Sequence, residues 1–278
     1  MKKFFFITII IIIFGCSNES AKNQSQNLLS LFVITEDLEL GNNRVVLSVL
    51  DEQGQTLTEN LRFSLKKLGS NKITKIEEIN TSSWPPKRNV FVTNINFEET
   101  GYWEFIVNRD KETAKAAVNI LENSSTLSIG DTVEPIITPS INDFEISKIT
   151  TDIDADKNLY QYSLDDALKQ NKPILLSFST PGLCVTGACA PQMEELKKIS
   201  NSNNDVIIIH VEIWKNFDEV MKKGDLSVGV LNDSVQKFNI KTEPWTFLIN
   251  SKGIVKNRYQ GFVESKEIKI DLGKSDFN

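Results

Sequence analysis

Two of the three cysteines in this 278-residue chain, Cys184 and Cys189, stand five positions apart in the stretch FSTPGLCVTGACAPQMEELKKI. The stretch opens at the end of an apolar run, KPILLSFS, and closes in a helical pattern, PQMEELKKISN, where Met193 and Leu196 share a face. Cysteine attacks as the thiolate, and a helix N-terminus favours that ion through its unpaired N–H groups and partial positive charge. A thiol pair where a strand hands over to a helix therefore suits disulfide exchange. The competing reading is a structural clip. A disulfide gains most stability, in the chain-entropy view, by closing a long loop, and this loop is very short.

The third cysteine bears on where the pair would work. The chain begins MKKFFFITIIIIIFGCSNES. Lys2 and Lys3 precede an uncharged apolar run, Phe4 to Phe14. The run falls short of the about 20 residues that a membrane-spanning helix needs and suits a signal-peptide core. It ends at Gly15-Cys16, and IFGC resembles a bacterial lipobox, in which cleavage precedes a cysteine that carries lipid. That resemblance implies a signal peptide over 1–15, lipidation of Cys16 and attachment to a lipid membrane on its extracytoplasmic side, periplasm or cell surface. The anchor would hold through the buried CH₂ groups of its acyl chains. An uncleaved anchor or an ordinary secretory signal is the plainer alternative. Disulfides persist in exported proteins, and with Cys16 assigned to the anchor, Cys184 and Cys189 remain as a disulfide candidate.

A net charge of −6 argues against nucleic acid, whose phosphates require a basic surface. A hydrophobic content of 40% indicates a folded chain. Residues 16–27 are polar and read as a tether. Residues 28–122 hold short alternating runs such as NRVVLSVL, NVFVTNINF and GYWEFIVNRD, separated by turn signals at DEQGQ and EETGYW. They predict an all-β, immunoglobulin-like sandwich in which no chemistry-bearing cluster stands out, so a spacer or partner-binding module is the expectation. Residues 123–157 read as a linker. From Asn158 the pattern becomes β-α-β-α-β-α-β-β-α: a strand at NLYQY, a helix capped by Ser163 at LDDALKQN, buried strands at KPILLSFS and DVIIIHVEIW, a polar insertion from Lys215 to Gly229, a helix near VLNDSVQKFN, two strands around an NSKG turn, and a closing helix at ESKEIKIDLG.

Two motifs in this region resemble the thioredoxin fold, and the resemblance covers 158–272. One is ILLSFSTPGLCVTGAC, matching that family's strand, loop and active-site helix. The other is TEPWTFLINSKGIV, matching the proline strand and following hairpin of membrane-attached thioredoxin-like proteins. The resemblance implies an α/β thioredoxin-fold domain and thiol–disulfide oxidoreductase activity on protein or small-molecule thiols and disulfides, with no cofactor and no metal. Cys184 would be the attacking nucleophile, Cys189 the resolving thiol, and Pro244 the cis-proline of the substrate loop. Two departures matter. The family's C-x-x-C is here CVTGAC, an i, i+5 pair that would point about 140° apart on a regular helix, so Val185 to Ala188 must form an irregular turn, which Gly187 permits. The buried acid of the family falls on Ser177; Glu243 is the candidate substitute for proton transfer, the alternative being a solvated charge. Trp214 and Trp245 read as packing residues beside the pair.

Three other functions remain open at this stage. Thr180, Pro181, Gly182 and Cys184 resemble the TPGC of bacterioferritin-comigratory peroxiredoxins, with Leu183 inserted so that Thr180 leaves the peroxide-binding register. A Sco-type copper carrier would need a histidine beside the cysteines, since soft thiolates suit Cu(I), but the sole histidine, His210, lies inside VIIIHVEIW and reads as a core residue. A non-catalytic surface-binding lipoprotein would use the cysteines only as a structural disulfide.

Overall fold

The structure, a computed structural model, describes residues 29–202 and 205–274. The signal peptide over 1–15, Cys16 and the tether over 16–27 lie outside the described residues. Among those described, no helix is long and apolar enough to cross a membrane.

The N-terminal domain is an all-β sandwich. One sheet has the order β1 (Ser30–Val33), β2 (Gly41–Leu50), β6 (Arg88–Phe97), β5 (Asn80–Trp84); the other has β4 (Thr74–Lys75), β3 (Arg62–Lys67), β7 (Gly101–Arg109), β8 (Glu112–Ile120). Every strand pairing is antiparallel, and Leu31, Val45, Leu47, Phe63, Phe91, Phe105 and Val107 fill the space between the sheets. Two short strands, β4 and β5, escape the sequence pattern because neither alternates apolar with polar residues. The outer face of the first sheet is also covered. Val46, Val90 and Val92 form a second apolar cluster with Trp84, and the Trp84 ring meets Phe262 of the other domain edge-on at 5.9 Å.

The C-terminal domain has one mixed sheet of order β10 (Ile207–Val211), β9 (Ile174–Phe178), β11 (Trp245–Ile249), β12 (Val255–Gln260), with β9 and β10 parallel and β11 antiparallel to both of its neighbours. Helices cover both faces. Leu164 and Ala167 of α1 (Leu164–Ala167) and Val235 of α4 (Asp233–Lys237) pack on Ile174, Leu176 and Phe178; Met193 and Leu196 of α2 (Cys189–Ser200) and Ile268 of α5 (Ser265–Leu272) pack on Leu175, Ile208 and Leu248. Side chains of this size contribute on the order of 1.5–3 kcal/mol each when fully buried. This is the thioredoxin arrangement, so the fold expected from the sequence holds for both domains.

Several local expectations are corrected. NLYQY is a 3-10 turn, Lys157–Tyr160, opened by the Asp156 side chain accepting from the Asn158 N–H; its neighbours Leu159 and Tyr160 are both buried, which a half-buried strand does not allow. Ser163 stands at the N-cap of α1, but its hydroxyl donates to Asp165 and accepts from the Thr138 N–H rather than capping the helix. The polar insertion contains a helix, α3 (Phe217–Lys223), ended by Gly224 in the left-handed region. The segment between the domains is packed down: Val133 joins the thioredoxin core, and the connector bonds the β11–β12 hairpin through Val133 N–H to Gly253 O and Val255 N–H to Asp131 O.

Candidate active site

Helix α2 begins at Cys189, not at Cys184. Gly187 has φ +69°, a left-handed conformation that a helix does not continue, so CVTGA forms a turn ahead of the helix. That turn folds the two cysteines together: Cys184 and Cys189 form a disulfide with their Cα atoms 5.9 Å apart, inside the usual span. Cys189 is fully buried, whereas Cys184 is half-buried and its neighbour Val185 is exposed. The Cys184 Sγ also lies 3.1 Å from Thr186 Oγ1. The helix N-terminus thus faces the disulfide from the Cys189 side.

Glu243 precedes Pro244, and the Glu243–Pro244 peptide is cis. A Glu243 carboxylate oxygen and both sulfurs lie within 4.8 Å of one another. Burial pushes the carboxyl up to about 7, against the lowering effect of hydrogen bonds from Thr180; the Thr180 N–H donates to Oε2 at 2.5 Å. Glu243 is therefore no freely solvated charge. At the position of the family's buried acid, Ser177 is fully enclosed and its hydroxyl meets Thr246 Oγ1 at 3.0 Å and the Trp245 carbonyl at 3.3 Å. Trp245 is buried and stacks on Phe247.

His210 is a core residue. Its Nδ1 lies 2.9 Å from the Tyr160 hydroxyl and its Nε2 3.0 Å from Ser179 Oγ. Burial pulls its pKa down to about 4, so the ring is neutral. With both nitrogens engaged in the core, it completes no copper site with the sulfurs. Thr180 is buried, and its hydroxyl accepts the Ile213 N–H at 3.3 Å. Its side chain is fully enclosed and not presented at the surface of the cysteine loop.

The sequence reading missed the carboxyl behind this loop. Glu212 Oε1 accepts from the Thr151 N–H at 2.5 Å, the Thr151 hydroxyl at 2.8 Å and the Thr150 hydroxyl at 3.2 Å, while Oε2 is buried with no hydrogen-bond partner. Burial raises this carboxyl to about 7. Thr151 Oγ1 in turn accepts the Gly182 N–H at 2.8 Å. A lone acid directly after the apolar run VIIIHV was the available signal.

No family model matches the chain, and neither does any curated protein. Among solved structures it is similar to a Chlorobium tepidum protein described as thiol:disulfide interchange protein DsbE, at 17% identity over 53% of this chain and 100% of that one, with a TM-score of 0.34. It is similar to StoA from Bacillus subtilis at 15% identity over 45% of this chain and 94% of that one, TM-score 0.30. The Lin-41 filamin domain matches at 9% identity over 35% of this chain and 95% of that one, TM-score 0.26.

Proposed function

We propose that the chain is a lipid-anchored, extracytoplasmic thiol–disulfide oxidoreductase that cycles Cys184 and Cys189 between dithiol and disulfide. The observation that carries the reading is the unequal placement of the bonded cysteines: Cys184 at the surface of a turn, Cys189 sealed behind it, and a carboxyl beside both. In the reduced protein the Cys184 thiolate attacks one sulfur of a substrate disulfide. A mixed disulfide forms and the other substrate sulfur leaves as a thiolate. Cys189 gives its proton to the Glu243 carboxylate and attacks Cys184 Sγ. The internal disulfide closes, the second substrate thiolate leaves, and two electrons have passed to the substrate. Every step reverses when the protein acts as oxidant, and its reduction potential sets the direction.

Trapping tests the roles. Cys189→Ser should accumulate mixed disulfides with partner proteins, and Cys184→Ser should accumulate few. Equal alkylation rates for the two reduced thiols from pH 5 to 9 would sink the assignment, and a pair that no dithiol reductant opens would leave only a structural clip.

The anchored part of the proposal rests on the sequence MKKFFFITIIIIIFGC. Wild type should partition into the detergent phase, and Cys16→Ser should lose that partitioning or stall unprocessed. Processing and membrane attachment of the variant indistinguishable from wild type would remove the lipid anchor from the proposal.

A further inference from the structure

The β-sandwich reads as a spacer or partner-binding module from its sequence, yet three separate contacts run from it to the loop that faces the disulfide. All three pass through the end of β12. First, the Gln260 side chain accepts the backbone N–H groups of Glu36 and Asp37 at 2.8 and 2.9 Å. Its amide donates to Thr242 Oγ1 at 3.0 Å, and that oxygen also accepts the Trp245 indole N–H at 3.1 Å. Second, the Arg258 guanidinium donates to the Asp37 carbonyl at 2.6 Å and to its carboxylate at 2.8 Å, and lies over the Trp245 ring at 5.4 Å. Third, Trp84 sits on Gly261: a methyl group there would meet the indole at 2.6 Å, and the residue has φ +77°. The Gly261 N–H donates to the Pro244 carbonyl at 2.8 Å. Thr242, Pro244 and Trp245 flank Glu243 in the chain, so the contacts converge on the residues on either side of the proton acceptor.

We propose that the β-sandwich is a positioning element of the redox site, which fixes the Thr242–Trp245 loop through Gln260, Arg258 and Gly261. This rests on the oxidoreductase reading for its consequence, because the loop is the surface a substrate disulfide would meet beside Cys184. None of the three contacts touches a sulfur. The sandwich therefore sets how well a bulky substrate docks, and leaves the intrinsic reactivity of the Cys184 thiolate alone.

The test uses the full chain and two kinds of variant. Gln260→Ala removes one contact at a half-buried position. Trp84→Ala removes a second, and Trp84→Phe keeps an aromatic ring on Gly261. With insulin as the disulfide substrate, each Ala variant should raise KM about tenfold, the effect of losing one or two well-placed contacts, with kcat within twofold of wild type. Alkylation of reduced Cys184 by iodoacetamide should keep its rate, and Trp84→Phe should restore KM. The Trp245 indole N–H resonance should shift in Gln260→Ala whether or not insulin is a substrate. Unchanged KM in both Ala variants with an unmoved Trp245 resonance would overturn the proposal. So would a loss of kcat that tracks falling thermal stability at constant KM, the signature of a merely structural role. If wild type exchanges with no disulfide at all, the oxidoreductase reading falls, and the Trp245 resonance still decides whether the sandwich holds the loop.

Discussion

The two flanks of the disulfide are held by different parts of the chain and by different chemistry. The proline flank is gripped by the sandwich through Arg258 and Asp37. Burial alone would raise the Asp37 carboxyl, but Ser125, Ser124 and Arg258 outweigh it and hold the group below the usual carboxylate range. The cysteine flank is held by the connector, where Gly182 hangs on Thr151 and Thr151 on Glu212. The carboxyls of Glu212 on this flank, and of Glu243, which reaches across from the proline loop to accept the Thr180 N–H, are both raised to about 7 by burial. Near neutral pH Asp37, in the ion pair with the sandwich, stays ionised, while Glu212 and Glu243 around the Thr180–Cys184 loop change protonation. A redox pair that must give up and take back protons gains from having titratable carboxyls beside the cysteine loop and its permanent ion pair further off, where the sandwich grips β12.

The largest effect that would break this comparison lies at Glu243. As the base for Cys189 it must be ionised, so closure of the internal disulfide should speed up as pH rises through about 7. Glu243→Gln should slow closure by roughly 10²–10⁴-fold, the usual worth of a positioned base, and erase that inflection. Asp37→Asn, at the sandwich's ion pair with Arg258, should leave the inflection where it was. Stopped-flow tryptophan fluorescence during oxidation gives both results. An inflection that survives in Glu243→Gln would take the proton role away from this residue.

The second effect is thermodynamic and differs in sign between the flanks. Glu212 titrates near 7 when folded and near 4.5 in its unperturbed state. Between these values the folded chain keeps a proton that the unfolded chain has released, so this group costs stability as pH rises through the window. At about 1.4 kcal/mol per pH unit, Glu212→Gln should gain about 3 kcal/mol relative to wild type between pH 4.5 and 8. Asp37 is shifted the other way. Its stabilisation is present above the ordinary aspartate range and fades only in acid, so the Asp37→Asn difference should be constant above about pH 5. Urea unfolding at several pH values separates the two. A flat Glu212→Gln difference would mean that its carboxyl is not held out of water as the structure shows.

How much of this was legible follows from range along the chain. The fold class was written in local patterns: continuous apolar runs for β9, β10 and β11, and alternation for the sandwich. The cysteine pair was legible too, because two cysteines in an otherwise cysteine-poor chain stand at a strand-to-helix boundary. The irregular turn between the cysteines was legible at Gly187, which takes a left-handed conformation, and it sets Cys184 ahead of the helix that starts at Cys189. The strand at NLYQY was lost to a capped turn, where an aspartate two residues before an asparagine outweighs β propensity. The flanks themselves were invisible. Gly182 meets Thr151 across 31 residues and Arg258 meets Asp37 across 221, and no period of 2 or 3.6 encodes a partner at such a distance.

The smallest effect sharpens the comparison at the cysteine flank. Gly182 lies outside the left-handed region, so an alanine there meets no backbone penalty. It meets Thr151 instead: the added methyl would lie 2.9 Å from Thr151 Cβ and 3.2 Å from its carbonyl oxygen. Neither atom is the end of a flexible chain, so the connector itself must move. Gly182→Ala should therefore cost about 1–3 kcal/mol, the usual range for one methyl too many in a packed site, and should speed alkylation of reduced Cys189 by loosening the loop above it. A Thr151→Gly change removes the Cβ in the way. If the contact is the cause, the two substitutions together should destabilise by less than the sum of their single effects. Full additivity would show that Gly182 is needed for some reason other than its seat on Thr151, and the connector would lose its claim to hold the cysteine flank.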